Sequence, residues 1–244
     1  MGKWRKSVRL GLWSLLVAQD SFIEIKNATG DIVIDGRFYN CALARKTTVT
    51  DSSNRQPRTV PVTFTAQPGT IPPVLAIAPN IPCTVQGPTV SGNTYTWQIS
   101  SEQTNSQVGL MSVECFIFSR PESQSSFGVQ LFKSDGSVLY DANSKYMRVI
   151  DSIVETSDAG TQTKSYAGVA SVAFVASSVG FSLGCDGGGG TYIRTFSQRG
   201  VKISGNLLTR QTMGRSLNSG APCSSADVKN NTYAQWIIID VTGM

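Results

Sequence analysis

The sequence predicts a mainly β fold, arranged as two tandem β-sandwich-like modules behind an amino-terminal arm. Three observations carry that expectation. The 244 residues are 40% apolar but only 15% charged, with 23 glycines, which suits sheets and turns better than helical bundles. Apolar runs are short, and Pro, Gly, Ser or Asn interrupt them at roughly the spacing of sandwich strands. One stretch of the chain also recurs. The organisation that follows is an arm over 1–21, a first β module over 22–120, a linker over 121–126 and a second β module over 127–244.

The arm, MGKWRKSVRLGLWSLLVAQD, starts basic and continues into an apolar run from Leu10 to Ala18. A secretory signal peptide has this outline, but Gly11, Trp13 and Ser14 interrupt the run. The favoured reading is an anchoring arm. Trp4, Val8, Leu12, Leu15 and Leu16 dock on a partner while the cations stay in water, and Trp4, Arg5, Arg9, Leu12, Trp13 and Leu16 are the expected partner-binding residues.

The first module opens with FIEIKNATGDIVIDGRFYNCAL (22–43), and the second with FGVQLFKSDGSVLYDANSKYMRV (127–149). Aligning Gly30 with Gly136 pairs Ile25 with Leu131, Ile32 with Val138, Val33 with Leu139 and Asp35 with Asp141. Each copy reads as a strand, a tight turn and a second strand. Asp135-Gly136 suits a turn whose central residues need positive φ. Asp35 and Asp141 end the hairpins and are placed to cap the next turn. As calcium ligands they lack the alternating carboxylates such a loop requires.

Further β runs follow each opener. In the first half they are VPVTFTA (60–66), VLAIA (74–78), TYTWQI (94–99) and LMSVECFIF (110–118). In the second they are SYAGVASVAFVA (165–176), VGFSL (179–183), GTYIRTF (190–196) and YAQWIIIDV (233–241). The polar, proline-led RPESQSS (120–126) marks the boundary.

The net charge of +5 says little about partners. Of 21 basic residues, Lys3, Arg5, Lys6 and Arg9 stand at the start, leaving 17 against 16 acidic ones. No basic groove interleaved with aromatics follows, so no nucleic-acid partner is expected. No apolar run reaches the roughly 18 residues of a membrane-spanning helix. The five cysteines, Cys41, Cys83, Cys115, Cys185 and Cys223, are scattered without a CxxC. They read as reduced, mostly buried residues rather than a disulfide or zinc framework.

No catalytic, cofactor-binding or metal-ligating set is expected. The chain has no histidine, which removes Ser-His-Asp and Cys-His nucleophilic arrangements. Asp141, Asp151, Glu155 and Asp158 qualify as paired carboxylates by composition alone. The run Gly184–Gly190 fits neither phosphate-binding glycine pattern. It leaves two readings open: Gly187, Gly188, Gly189 and Gly190, with Arg194 and Arg199, form an adaptable partner-binding surface loop, or the glycines are a plain connection between strands. Arg194, Arg199, Lys202, Arg210 and Arg215 fit a solvated sheet face better than a site.

Four pieces, IEIKNATGDIVID (23–35), TYTWQI (94–99), VECFIFSRP (113–121) and FGVQLFKSDGSVLYD (127–141), occur in an order that resembles small tail proteins of long-tailed bacteriophages of Gram-negative bacteria. The resemblance covers most of 22–155, and the basic arm and glycine-rich carboxy-terminal half depart from it. It implies a structural subunit of the tail tip or baseplate with no catalytic residues. That subunit binds other tail proteins near the central fibre, forms a homo-oligomer in a symmetric assembly, and is assembled in the host cytoplasm into the virion tail. The alternatives are a receptor-binding tail protein that touches the host surface, and a secreted bacterial adhesin.

Overall fold

The computed structural model describes residues 24–26, 32–35, 40–53, 57–101, 110–121, 128–133, 136–156, 160–188, 191–219, 229–231 and 233–244. Among them the regular structure is all strand. The chain divides into two compact units, Met1–Phe38 and Tyr39–Met244. Among its described residues, the first holds a hairpin of β1 (Glu24–Lys26) with β2 (Ile32–Asp35).

The second unit runs β3 (Ala42–Asp51), β4 (Arg58–Thr65), β5 (Val74–Pro79), β6 (Thr84–Ser91), β7 (Thr94–Ser101) and β8 (Met111–Ser119). A short hairpin of β9 (Gln130–Phe132) and β10 (Val138–Asp141) follows. Then come β11 (Arg148–Glu155), β12 (Gln162–Ser165), β13 (Val172–Ser178), β14 (Phe181–Gly188), β15 (Thr191–Ser204), β16 (Leu207–Ser219), β17 (Lys229–Asn231) and β18 (Ala234–Asp240).

One layer is a six-stranded sheet in the order β11-β18-β13-β5-β8-β3. The other combines β4-β7-β6 with β12-β16-β15-β14-β17. These last two sheets touch at Cys83 and Val201, whose backbones exchange hydrogen bonds of 3.0 and 2.9 Å. Period-two alternation sends Leu75, Ile77, Ile117, Phe174, Trp236 and Ile238 from one layer against Val62, Trp97, Ile99 and Leu208 from the other. Both halves of the chain therefore build one core.

The opposite face of the six-stranded sheet is also apolar, and Ala76, Phe116, Phe118, Ala173 and Ile239 on it are almost completely buried. The sheet's two edges meet at one end. Ala42 pairs with Ser119 of β8 on one side and bridges Tyr146 on the other, while Arg148 pairs with Asp240 of β18. Leu43 N–H donates to Lys145 O (2.7 Å) and Met147 N–H to Cys41 O (2.9 Å). The curled sheet thus encloses a second apolar cluster and removes part of its own free edge.

The pairings of the first half recur in the second. In the hairpins, Glu24↔Asp35, Ile25↔Ile34 and Lys26↔Ile32 match Gln130↔Asp141, Leu131↔Tyr140 and Phe132↔Val138, with a register shift at the same place. Ala42↔Ser119 through Val49↔Val113 match Arg148↔Asp240 through Glu155↔Ala234, with shifts after Leu43 and after Val149. Ser91-Gly92-Asn93 and Ser204-Gly205-Asn206 turn β6 into β7 and β15 into β16, with glycine φ of 58° and 59°. Asn93 O accepts from Ala66 N–H as Asn206 O accepts from Tyr166 N–H. So β3 to β8 correspond to β11, β12, β13, β15, β16 and β18, leaving β14 and β17 without counterparts among the described residues.

Candidate interaction site

The second half differs from the first by an extension and by a change of core chemistry, and both converge on the β15–β16 hairpin. Counting from the two Ser-Gly-Asn turns, Gln198 stands opposite the place of Thr84, the first residue of β6. Residues 191–197 of β15 and 215–219 of β16 therefore run beyond the described strands of the first half. Seven strand residues reach about 23 Å. β14 pairs along this extension from Phe181↔Gln198 to Gly188↔Thr191, and β17 pairs with the start of β14.

Burial changes where the extension begins. Gln198, Arg199, Gly200 and Val201 are buried. Ile193, Arg194 and Thr195 are exposed, and Tyr192, Phe196, Leu183 and Cys185 are only half-buried. Side chains of both strand parities remain accessible, so no second layer closes over either face among the described residues.

Gly187 and Gly188 are strand residues here, paired with Tyr192 and Thr191, which corrects their assignment to a surface loop. Glycine weakens a strand on average, but a paired neighbour supplies the ladder regardless of side chain. Gly189 and Gly190 lie outside the described residues. A Cβ at Gly184 would stand 2.6 Å from Thr195 Oγ1, so a larger residue there requires the exposed Thr195 hydroxyl to rotate away.

Arg194 is exposed on the extension, opposite Cys185. Cys185 is disulfide-bonded, which corrects the expectation of reduced cysteines at that position. Cys41, Cys83 and Cys115 are free. Burial, with a smaller contribution from Glu114, pushes the Cys115 thiol up to about 12 against the opposing pull of Arg45, and burial likewise raises Cys83 and Cys41. These thiols are protonated and poor nucleophiles near neutral pH.

Arg199 does not belong to a surface loop either, because it is only 5% exposed. Its Nε donates to Glu155 Oε2 at 2.8 Å, Nη1 to Thr212 Oγ1 at 2.8 Å and Nη2 to Gly160 O at 3.0 Å. Arg210, expected on a solvated face, is also buried; it donates to Glu155 Oε1 through Nη1 and to Gln162 Oε1 through Nη2 at 2.6 Å. Glu155, on β11 of the opposite layer, thus ties both strands of the long hairpin across the sandwich. Both oxygens of its carboxylate are taken up by these guanidinium contacts.

The other acids considered for chemistry are engaged too. Asp141 is fully buried; its Oδ1 accepts from Asn143 N–H at 2.8 Å and its Oδ2 from Gln130 at 2.9 Å, so it caps the turn after β10. Asp151 accepts from Lys164 at 2.8 Å and Tyr166 at 2.6 Å. Burial alone would raise the Asp151 pKa, but those hydrogen bonds and the Lys164 charge hold it below its ordinary value. Asp158 lies outside the described residues, as do Trp4, Arg5, Arg9, Leu12, Trp13 and Leu16 of the arm. Among the described residues no group of three or more Cys, Asp or Glu side chains is placed to hold a metal ion. No helix among them is long and apolar enough to cross a membrane.

Sequence reasoning missed the joint made by Glu155, Gln162, Arg199, Arg210 and Thr212. The repeated Ser-Gly-Asn was the signal that could have found it, because it fixes which strands correspond. Against family models, curated proteins and solved structures, the chain has no match.

Proposed function

We propose that this chain is a structural subunit of a bacteriophage tail tip or baseplate that binds other tail proteins and has no catalytic role. The observation that carries the reading is the extension of β14, β15 and β16, which among the described residues has no layer over either face and no counterpart in the first half. Paired strands with both faces accessible, projecting from a packed body, form a surface for another protein to cover. The ordered pieces that resemble tail proteins supply the setting, and a symmetric ring of copies follows from the symmetry of tails. The amino-terminal arm supplies a second anchor in this reading.

A receptor-binding role is the second reading. It is favoured by half-buried Tyr192 and exposed Arg194 on one face of β15, with exposed Ile193 on the other. Deleting residues 1–20 separates the two. A tail subunit anchored by its arm stays folded and soluble but no longer joins particles; a truncated chain that incorporates normally contradicts the anchoring role. Binding of the purified full chain to host cells, unaffected by the deletion, would favour the receptor reading.

A further inference from the structure

The register correspondence places every member of this cluster, with Glu155, Arg199 and Arg210 buried, Gln162 half-buried and Thr212 exposed at its rim, opposite an apolar residue of the first half. Glu155 takes the place of Val49, since both follow the same shifted ladder. Gln162↔Arg210 takes the place of Val62↔Trp97, three pairs from the Ser165↔Leu207 and Thr65↔Thr94 ends of their ladders. Arg199↔Thr212 takes the place of Val85↔Ile99. In the first half these five positions form one apolar plug between the layers, with Val62, Val85, Trp97 and Ile99 buried and Val49 packed against them. In the second half the five form one connected set of hydrogen bonds and ion pairs. The change is concerted: all five positions are polar in one half and apolar in the other.

We infer that the Glu155–Gln162–Arg199–Arg210–Thr212 cluster is a register lock that sets how far the β15–β16 hairpin slides along the opposite layer. The inference does not depend on the tail reading. Side-chain period in a strand is two, so a two-residue slide would keep every apolar face of the hairpin directed inward. Apolar contacts discriminate weakly against such a slide. A carboxylate reached by two guanidiniums from two strands does so strongly, because the slid state leaves buried charges unpaired. The first half has a short hairpin and can rely on a plug. The second carries an extension whose position depends on the setting at its base.

The test uses the full chain with two repacked variants. One transplants the first half's residues (E155V/Q162V/R199V/R210W/T212I), and the other is a size-matched apolar set (E155L/Q162L/R199M/R210M/T212V). Glu155→Gln serves as the broken-cluster reference and should lower the melting midpoint by at least about 8 °C. The lock predicts that at least one repacked variant melts within about 5 °C of the unaltered chain. That variant should nevertheless show duplicated amide resonances, or amide exchange at least tenfold faster, through residues 192–197. A repacked variant with native stability, single resonances and unchanged exchange overturns the lock. So does failure of both repacked variants to fold or to melt above Glu155→Gln, because the cluster would then be a stabiliser with no interchangeable counterpart.

Discussion

At the scale of single residues, the buried acids Asp141 and Glu155 do different work: one holds a turn and the other holds two layers together. Asp141 holds the turn, and its position after a hairpin strand made the capping role readable from sequence. Glu155, Arg199 and Arg210 hold the layers. They were not readable, because a charge on a strand looks solvent-facing until its partner on another strand is known. Replacing Arg210 with Met should destabilise the fold by about 3–5 kcal/mol in urea titration, since it leaves Glu155 and Gln162 short of a buried donor. A loss below about 1 kcal/mol would show that the site is hydrated.

Asp151 makes the pH prediction. Its folded pKa is depressed, so its stabilisation is complete above the unfolded value near 4 and is lost as pH falls through the lower folded value. The stability gap between the unaltered chain and Asp151→Asn should therefore be constant from pH 5 to 7 and close in strong acid (about pH 2). A gap that persists there contradicts the assignment. Cysteine reactivity offers a further check. With Cys83 and Cys115 buried and their thiols raised, only the half-buried Cys41 among the free cysteines should react with a thiol reagent before unfolding.

At the scale of elements, hairpins were the most readable feature, because alternation and turn residues act locally. The Gly30–Gly136 alignment survives as one backbone register repeated in two hairpins. Gly187 and Gly188 were misread because composition suggested a loop, whereas pairing with Tyr192 and Thr191 makes them part of a ladder. Gly200 is another case in which a partner strand decides. A Cβ there would stand 2.4 Å from Met213 Sδ, and Met213 is buried. Gly200→Ala should cost about 1–3 kcal/mol, and Met213→Ala should be less harmful in the Gly200→Ala background than alone. Additive losses in that double-mutant cycle would mean the two positions do not compete for space.

At the scale of the whole molecule, the sequence suggested modules in tandem, and the structure shows both halves contributing to one core. That could not be read in advance. The contacts joining the halves, Ile77 with Phe174 and Cys83 with Val201, lie between strands about a hundred residues apart, and each strand would look the same in a separate sandwich. The shared core predicts one cooperative melting transition for residues 39–244, with calorimetric and van't Hoff enthalpies in agreement. Two resolved transitions would show the halves to be energetically independent.

The central claim, that this chain works by being built into a tail, is most directly tested by mass spectrometry of purified phage particles. A tail subunit gives peptides of this chain in isolated tails, at a copy number that follows tail symmetry. Particles that lack the chain while it is abundant elsewhere, or a chain found only in the host's secreted fraction, would contradict it.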